Sequence, residues 1–152
     1  MFGHRRAPVI ETLGYNALHF AGCCMNTVIS LRLVALSGFC AVALGAFGSH
    51  GLRGRLTPDM LDVFQTAVSY QFYHSLAWLA VVLLGLQQPS RWLRLGGICF
   101  GLGILLFCGS LYILALSGIR WLGAVTPLGG LAFLAGWLML GLAACRFSAS
   151  KQ

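Results

Sequence analysis

Acidic side chains are almost missing from this sequence. Only Glu11, Asp59 and Asp62 occur in 152 residues, and charged residues together make up 9%, against about 25% in an ordinary soluble domain. So little polar surface cannot coat a water-soluble globule. Catalytic signatures are missing as well: no H-E-x-x-H, G-x-S-x-G or phosphate-binding glycine loop occurs, so no enzymatic motif, cofactor or metal is expected. The six cysteines include no C-x-x-C pair. Cys40, Cys99, Cys108 and Cys145 lie in apolar runs, where a free thiol packs as a small hydrophobe. No Pro/Ser-rich linker or second compositional regime divides the chain, which reads as one domain.

What is present is apolar length. Apolar residues make up 59% of the chain, and a membrane-spanning helix needs roughly 20 of them to cross a hydrocarbon layer about 30 Å thick. Four stretches qualify, at about 29–48, 68–86, 96–116 and 127–145; Arg32 is the only charged residue inside them. The fold class expected is therefore all-α, an integral membrane four-helix bundle surrounded by lipid. Thr57-Pro58-Asp59 supplies a cap, a pre-set first turn and an acid at the positive helix end. The second helix should thus start before its span, with a polar N-terminal half carrying Asp59, Asp62, Gln65, Thr66 and Ser69, and stop at Gln87-Gln88-Pro89. Thr126-Pro127 predicts a capped start for the fourth.

The ten basic residues against three acids give a net charge of +7, yet they are scattered singly or in pairs with no basic stripe, so nucleic acid is not an expected partner. They set topology instead. Arg5, Arg6, Arg32, Arg91, Arg94, Arg146 and Lys151 fall on the side of both termini, and Arg53, Arg55 and Arg120 on the other. This bias predicts a multi-pass cell inner-membrane protein with both termini cytoplasmic. Residues 1–24 lack helical periodicity and read as an N-terminal extension, disordered or upstream of a natural start at Met25; 25–146 form the four-span domain and 147–152 a short polar tail. Phe20-Ala21-Gly22-Cys23 faintly resembles a lipoprotein cleavage box, but Glu11, Asn16 and His19 break the apolar core such a signal requires.

Small residues recur at helical spacing. Ser37, Ala41, Gly45 and Ser49 form a ladder in the first span, and Gly97-x-x-x-Gly101 opens the third. Such ladders let helix backbones approach closely in lipid, either within the bundle or between copies. The most chemically suggestive residues are His50, Arg53, Arg55, Asp59, Asp62, Tyr70, Gln71, His74, Arg120 and Thr126, a candidate polar cluster near the non-cytoplasmic face. Asp59 and Asp62 should lie close to Arg53, Arg55 or Arg120 for charge balance. His74 should point into the bundle and approach His50, because an imidazole facing hydrocarbon is costly. The cluster reads as a structural polar network, as a ligand-, lipid- or proton-handling site, or as a metal site built from His50, His74 and a carboxylate. Neither His pair has a recognised metal-ligand spacing.

Several separated motifs, in order, resemble one known family. They are Gly45-Ala46-Phe47-Gly48-Ser49-His50-Gly51-Leu52, Phe64-x-Thr66-Ala67, Tyr70-Gln71-x-Tyr73-His74, Gly109-Ser110-Leu111-Tyr112 and Arg120-Trp121-Leu122-Gly123-x-x-Thr126-Pro127-x-Gly129-Gly130. Over residues 30–144 the chain resembles the YgdD-like small membrane proteins, domain of unknown function four-two-three; Ser49 stands where alanine is expected. The resemblance implies a multi-span inner-membrane protein, with mitochondrial relatives in eukaryotes, and brings no activity with it. It marks His50, Tyr70, Gln71, His74, Arg120 and Thr126 as family-pattern polar positions. Three roles follow: a packing or assembly partner or homo-oligomer, a small-solute or proton carrier using the His74 region, and an enzyme acting on lipid or quinone.

Overall fold

Helix boundaries follow the local chemistry of the chain. The computed structural model describes the backbone of residues 9–149 and the side chains of 27–145; the side chains of Cys23 and Cys24, the first eight residues and the last three lie outside that description. Thr57 caps helix α2 (Pro58–Gln87), its hydroxyl accepting the Met60 amide at 3.4 Å. Ser90 caps α3 (Arg91–Gly103) in the same way through Trp92. Upstream, α1 runs Val9–His50, with its apolar span at Thr27–His50. The remaining spans are Pro58–Gln87, Arg91–Ser117 and Arg120–Cys145, so all four expected crossings are present in an all-helical chain.

The third crossing departs from the continuous helix expected. After α3 the backbone widens into a π-helical turn, Ile104–Cys108, before α4 (Gly109–Ser117) resumes. The widening sits where the fourth crossing presses closest. A Cβ added to Gly129 would clash with the Phe107 backbone, and one on Gly103 with the Phe133 ring. Ser110 donates to the Phe107 carbonyl at 3.0 Å, giving a partner to a backbone group in the disturbed ladder. Gly118, at φ 72°, ends α4 in the left-handed conformation, and a 3₁₀ turn (Arg120–Ala124) leads into α5 (Thr126–Ala149).

Thr126 is the first residue of α5 rather than the cap expected before it. Its hydroxyl pairs with Ser110 at 3.1 Å. Because Ser110 spends its proton on Phe107, Thr126 is the donor, and the residue ties the third crossing to the fourth.

Neighbouring helices run antiparallel in a consistent register. Ser37 meets Ser75, and Gly48 meets Phe64, between α1 and α2. Trp78 of α2 lies over Gly97 and Gly101, whose added Cβ atoms would each come within 3.1 Å of its ring. Gly136 receives Phe100 of α3. Gly45, against Val68, and Ala41, 1% exposed, face α2. Ser37, Ala41, Gly45, Gly97 and Gly101 therefore meet neighbouring helices within the chain, whereas Ser49 is exposed. Extending the register places His74 level with Gly38, Gly103 and Phe133, near the middle of every span. In a hydrocarbon layer about 30 Å thick, the middle is about 15 Å from either edge.

Candidate functional site

The expected polar cluster separates into two groups. His50, Arg53, Arg55, Asp59, Asp62 and Arg120 are all exposed at one end of the bundle. Neither Asp59 nor Asp62 forms an ion pair with a described residue. Exposed charges at a membrane edge keep their hydration, and a surface pair adds about 0–1 kcal/mol, so nothing compels the contact. Trp121, 69% exposed beside Arg120, suits the same water interface.

The glycine-rich motif around His50 shapes a turn. The Phe47 carbonyl accepts the amides of Gly51 and Leu52 at 2.6 and 3.1 Å. Leu52, 5% exposed, plugs into a small core with Phe64 and Ala115, and Gly54, at φ 83°, turns the chain toward α2. His50 itself faces outward. The register sets it level with Asp62, about 18 Å along α2 from His74 at 1.5 Å per residue. The expected approach of the two histidines is therefore not made. A metal site uniting them is not assembled, and among the described residues no three His, Cys, Asp or Glu side chains group together.

Gln71 and His74 lie deep in the bundle, 6% and 8% exposed. They lie level with the middles of the apolar helices, about 18 Å along α2 from the end that carries His50. One side of α2 carries a closed network. Gln71 donates from Nε2 to the Ser37 carbonyl at 3.0 Å and accepts the Tyr112 hydroxyl at 2.8 Å. Ser75 donates to the Gln71 carbonyl at 2.7 Å, so its 2.7 Å contact with Ser37 has Ser37 as donor. Three crossings are thereby joined through one side chain. Ser75 and Tyr112 were missed in the sequence because hydroxyls inside apolar runs carry no periodic signal; Tyr112 sits in a family-pattern motif and was the nearest to a clue.

The other side of α2 is aromatic. The His74 ring points inward as expected and stacks on Phe133 at 3.5 Å between centroids, 13° from parallel. Tyr70, one turn earlier, stacks on Phe107 of the π turn at 4.7 Å. Phe100 and Trp137 close on His74 from 6.0 and 6.4 Å. His74 Nδ1 lies 2.8 Å from the Tyr70 carbonyl. A carbonyl only accepts, so Nδ1 carries the proton, and in the neutral imidazole Nε2 is left as an acceptor.

With this geometry in place, the chain can be set beside known proteins. The family described as Protein of unknown function (DUF423) matches residues 44–130. The UPF0382 membrane protein SH2409 of Staphylococcus haemolyticus (strain JCSC1435) is 45% identical over 117 residues, 76% of this chain and 93% of the relative. This chain belongs to the DUF423 family. The UPF0382 membrane protein YwdK of Bacillus subtilis (strain 168) is 42% identical over 78% of this chain and 98% of its own length. The UPF0382 inner membrane protein YgdD of Escherichia coli (strain K12) is 41% identical over 80% and 93%. No solved structure matches. The DUF423 match contains Gln71, His74, Ser75, Ser110, Tyr112 and Thr126, whereas Ser37, Phe133 and Trp137 fall outside it.

Proposed function

We propose that this membrane protein is a small assembly component of the cell inner membrane, with both termini cytoplasmic, that pairs with a second copy of itself along the seam between α1 and α2. The supporting observation is a groove on the outer side of that seam. About 290 Å³ lies over Ala41, Gly45 and Ala46, walled by Val68, Phe72 and Tyr73. Val42 and Phe72 are shared with a second hollow of about 410 Å³ beside Gly38, Phe39 and Leu76. Ser69 and Tyr73 line the first hollow one turn apart, and neither hydroxyl bonds to a described residue. Unpaired hydroxyls in hydrocarbon are costly, and a neighbouring helix packed over small residues can supply partners.

A second copy suits the groove by symmetry. A two-fold axis along the membrane normal sets α1 beside α1 at equal height. Gly38 then meets Gly38, where an added Cβ finds nothing within 4 Å inside the chain. Phe39, 72% exposed, is positioned to fill the neighbouring hollow. A carrier draws less support, because the buried Gln71, Ser75 and Ser110 are bonded within the chain.

Native mass measurement in lipid nanodiscs tests the pairing. A dimer is expected, and Gly38→Leu should shift it to monomer with helicity unchanged. A wild-type chain that stays monomeric as protein per disc rises, or one that carries a stoichiometric foreign subunit instead, would refute self-pairing.

A further inference from the structure

Among the buried polar side chains, Gln71, Ser75 and Ser110 bond to another crossing or to a helix carbonyl. His74 differs. It is 8% exposed, its Nδ1 proton goes to Tyr70, and Nε2 has no partner among the described residues. Nε2 is also not fully enclosed, since it is not among the sealed, unsatisfied atoms. Two donors stand around the same rings without a partner among the described residues: the hydroxyl of Tyr70, 41% exposed, and the indole N–H of Trp137, 50% exposed. We infer that the aromatic side of α2, turned toward α5, binds the flat hydroxylated head of a lipid-soluble ring compound of the isoprenoid quinol class, whose O–H donates to His74 Nε2.

Three features select that chemistry. An unpaired acceptor in a low-dielectric setting calls for a donor, which a hydroquinone has and its oxidised quinone lacks. The neighbouring rings stack on one another, His74 on Phe133 and Tyr70 on Phe107, and a flat head can add to the edge of that stack, where Tyr70 is 41% exposed. Depth supplies the third. The site lies about 15 Å from the nearest hydrocarbon edge, beyond a phospholipid head anchored in water but open to a quinol that moves within the bilayer interior. The Tyr70 hydroxyl and the Trp137 N–H border the same rings and are donors available to the second ring oxygen. The site faces α5, not α1, so it stands or falls separately from pairing along the α1–α2 seam.

Binding is read by titrating decylubiquinol into nanodiscs with and without the full-length protein and taking the difference. Saturable binding is expected, about tenfold weaker for decylubiquinone and about tenfold weaker for His74→Phe, the loss of one hydrogen bond. Phenylalanine keeps the stack on Phe133. If that variant does not fold, Tyr70→Phe removes only an unbonded hydroxyl and should weaken binding severalfold. Equal affinity for quinol and quinone, displacement by 1,2-dioctanoylglycerol, or uptake no greater than in empty discs would each overturn the assignment.

Discussion

Replacing Gln71 with leucine tests the central joint of the bundle. Leucine keeps similar bulk but abolishes the bonds to the Ser37 carbonyl and the Tyr112 hydroxyl, while the Ser75 bond to the residue-71 backbone survives. A typical hydrogen bond contributes about 0.5–1.5 kcal/mol net, and within membranes the average is about 0.6 kcal/mol. Two bonds therefore put the expected loss at about 1–3 kcal/mol. Tyr112→Phe removes one of them and should cost about 0.5–1.5 kcal/mol. In the double variant the shared bond is lost once, so the cycle should return a coupling of about 0.5–1.5 kcal/mol. The assay is reversible unfolding in mixed micelles, followed by helicity against denaturing detergent fraction. A loss below about 0.5 kcal/mol for Gln71→Leu, the range of a neutral surface change, together with zero coupling, would show that these bonds do not hold α1 and α4 to α2.

Gly129→Ala should destabilise by about 1–3 kcal/mol in the same assay, because its Cβ meets the Phe107 backbone, which has no rotamer to change. Gly109→Ala, with open space at its Cβ, should instead be neutral or stabilising by up to about 1 kcal/mol; the reverse order would refute the close approach of the third and fourth crossings. His50→Ala should change stability by less than about 0.5 kcal/mol, since the ring is exposed, and a larger loss would return His50 to the core. Reporter fusions after Gln88 and Lys151 should read cytoplasmic, and one near Arg55 should read on the opposite side; a cytoplasmic result at Arg55 would break the four-crossing topology.

The crossings were legible because they depend on composition summed over roughly 20 residues, and no single contact can overturn such a sum. Caps were legible where the chemistry is local, as at Thr57-Pro58. At Thr126 the same pattern misled, since Ser110, sixteen residues away, takes the hydroxyl. The π turn had no local signature. It arises where Gly129 lets α5 touch the Phe107 backbone, a contact between residues far apart in the chain. Ser37 was legible as a small packing residue, but its hydroxyl and carbonyl are also bonding groups, and only the register of α1 on α2 puts Ser75 and Gln71 opposite them.

Depth along the bundle is the feature a hydropathy sum reads least well, and the cause is physical. Asp59, Asp62, Gln65 and Thr66 make the first half of α2 polar, so a hydropathy sum starts the crossing late and puts His74 close to an interface. The register corrects this: α1 pairs Gly48 with Phe64 and Ser37 with Ser75, so the polar half of α2 lies alongside an apolar helix. Phe64 and Ala67, both 0% exposed, turn the inner side of that half into core. A helix can thus carry polar residues outward and still be buried on one side, which a window average cannot separate. Moving His74 from the edge to the middle changes what its free nitrogen means. Near the interface, water would satisfy Nε2 without consequence; about 15 Å inside hydrocarbon a partner must come from protein or from a molecule dissolved in the bilayer. Gln71, one turn from Ser75 at similar depth, takes its partners from Ser37 and Tyr112 and acts as a structural pin. His74 takes one from its own helix and leaves the other position open among stacked rings, and that difference separates packing from binding in this bundle.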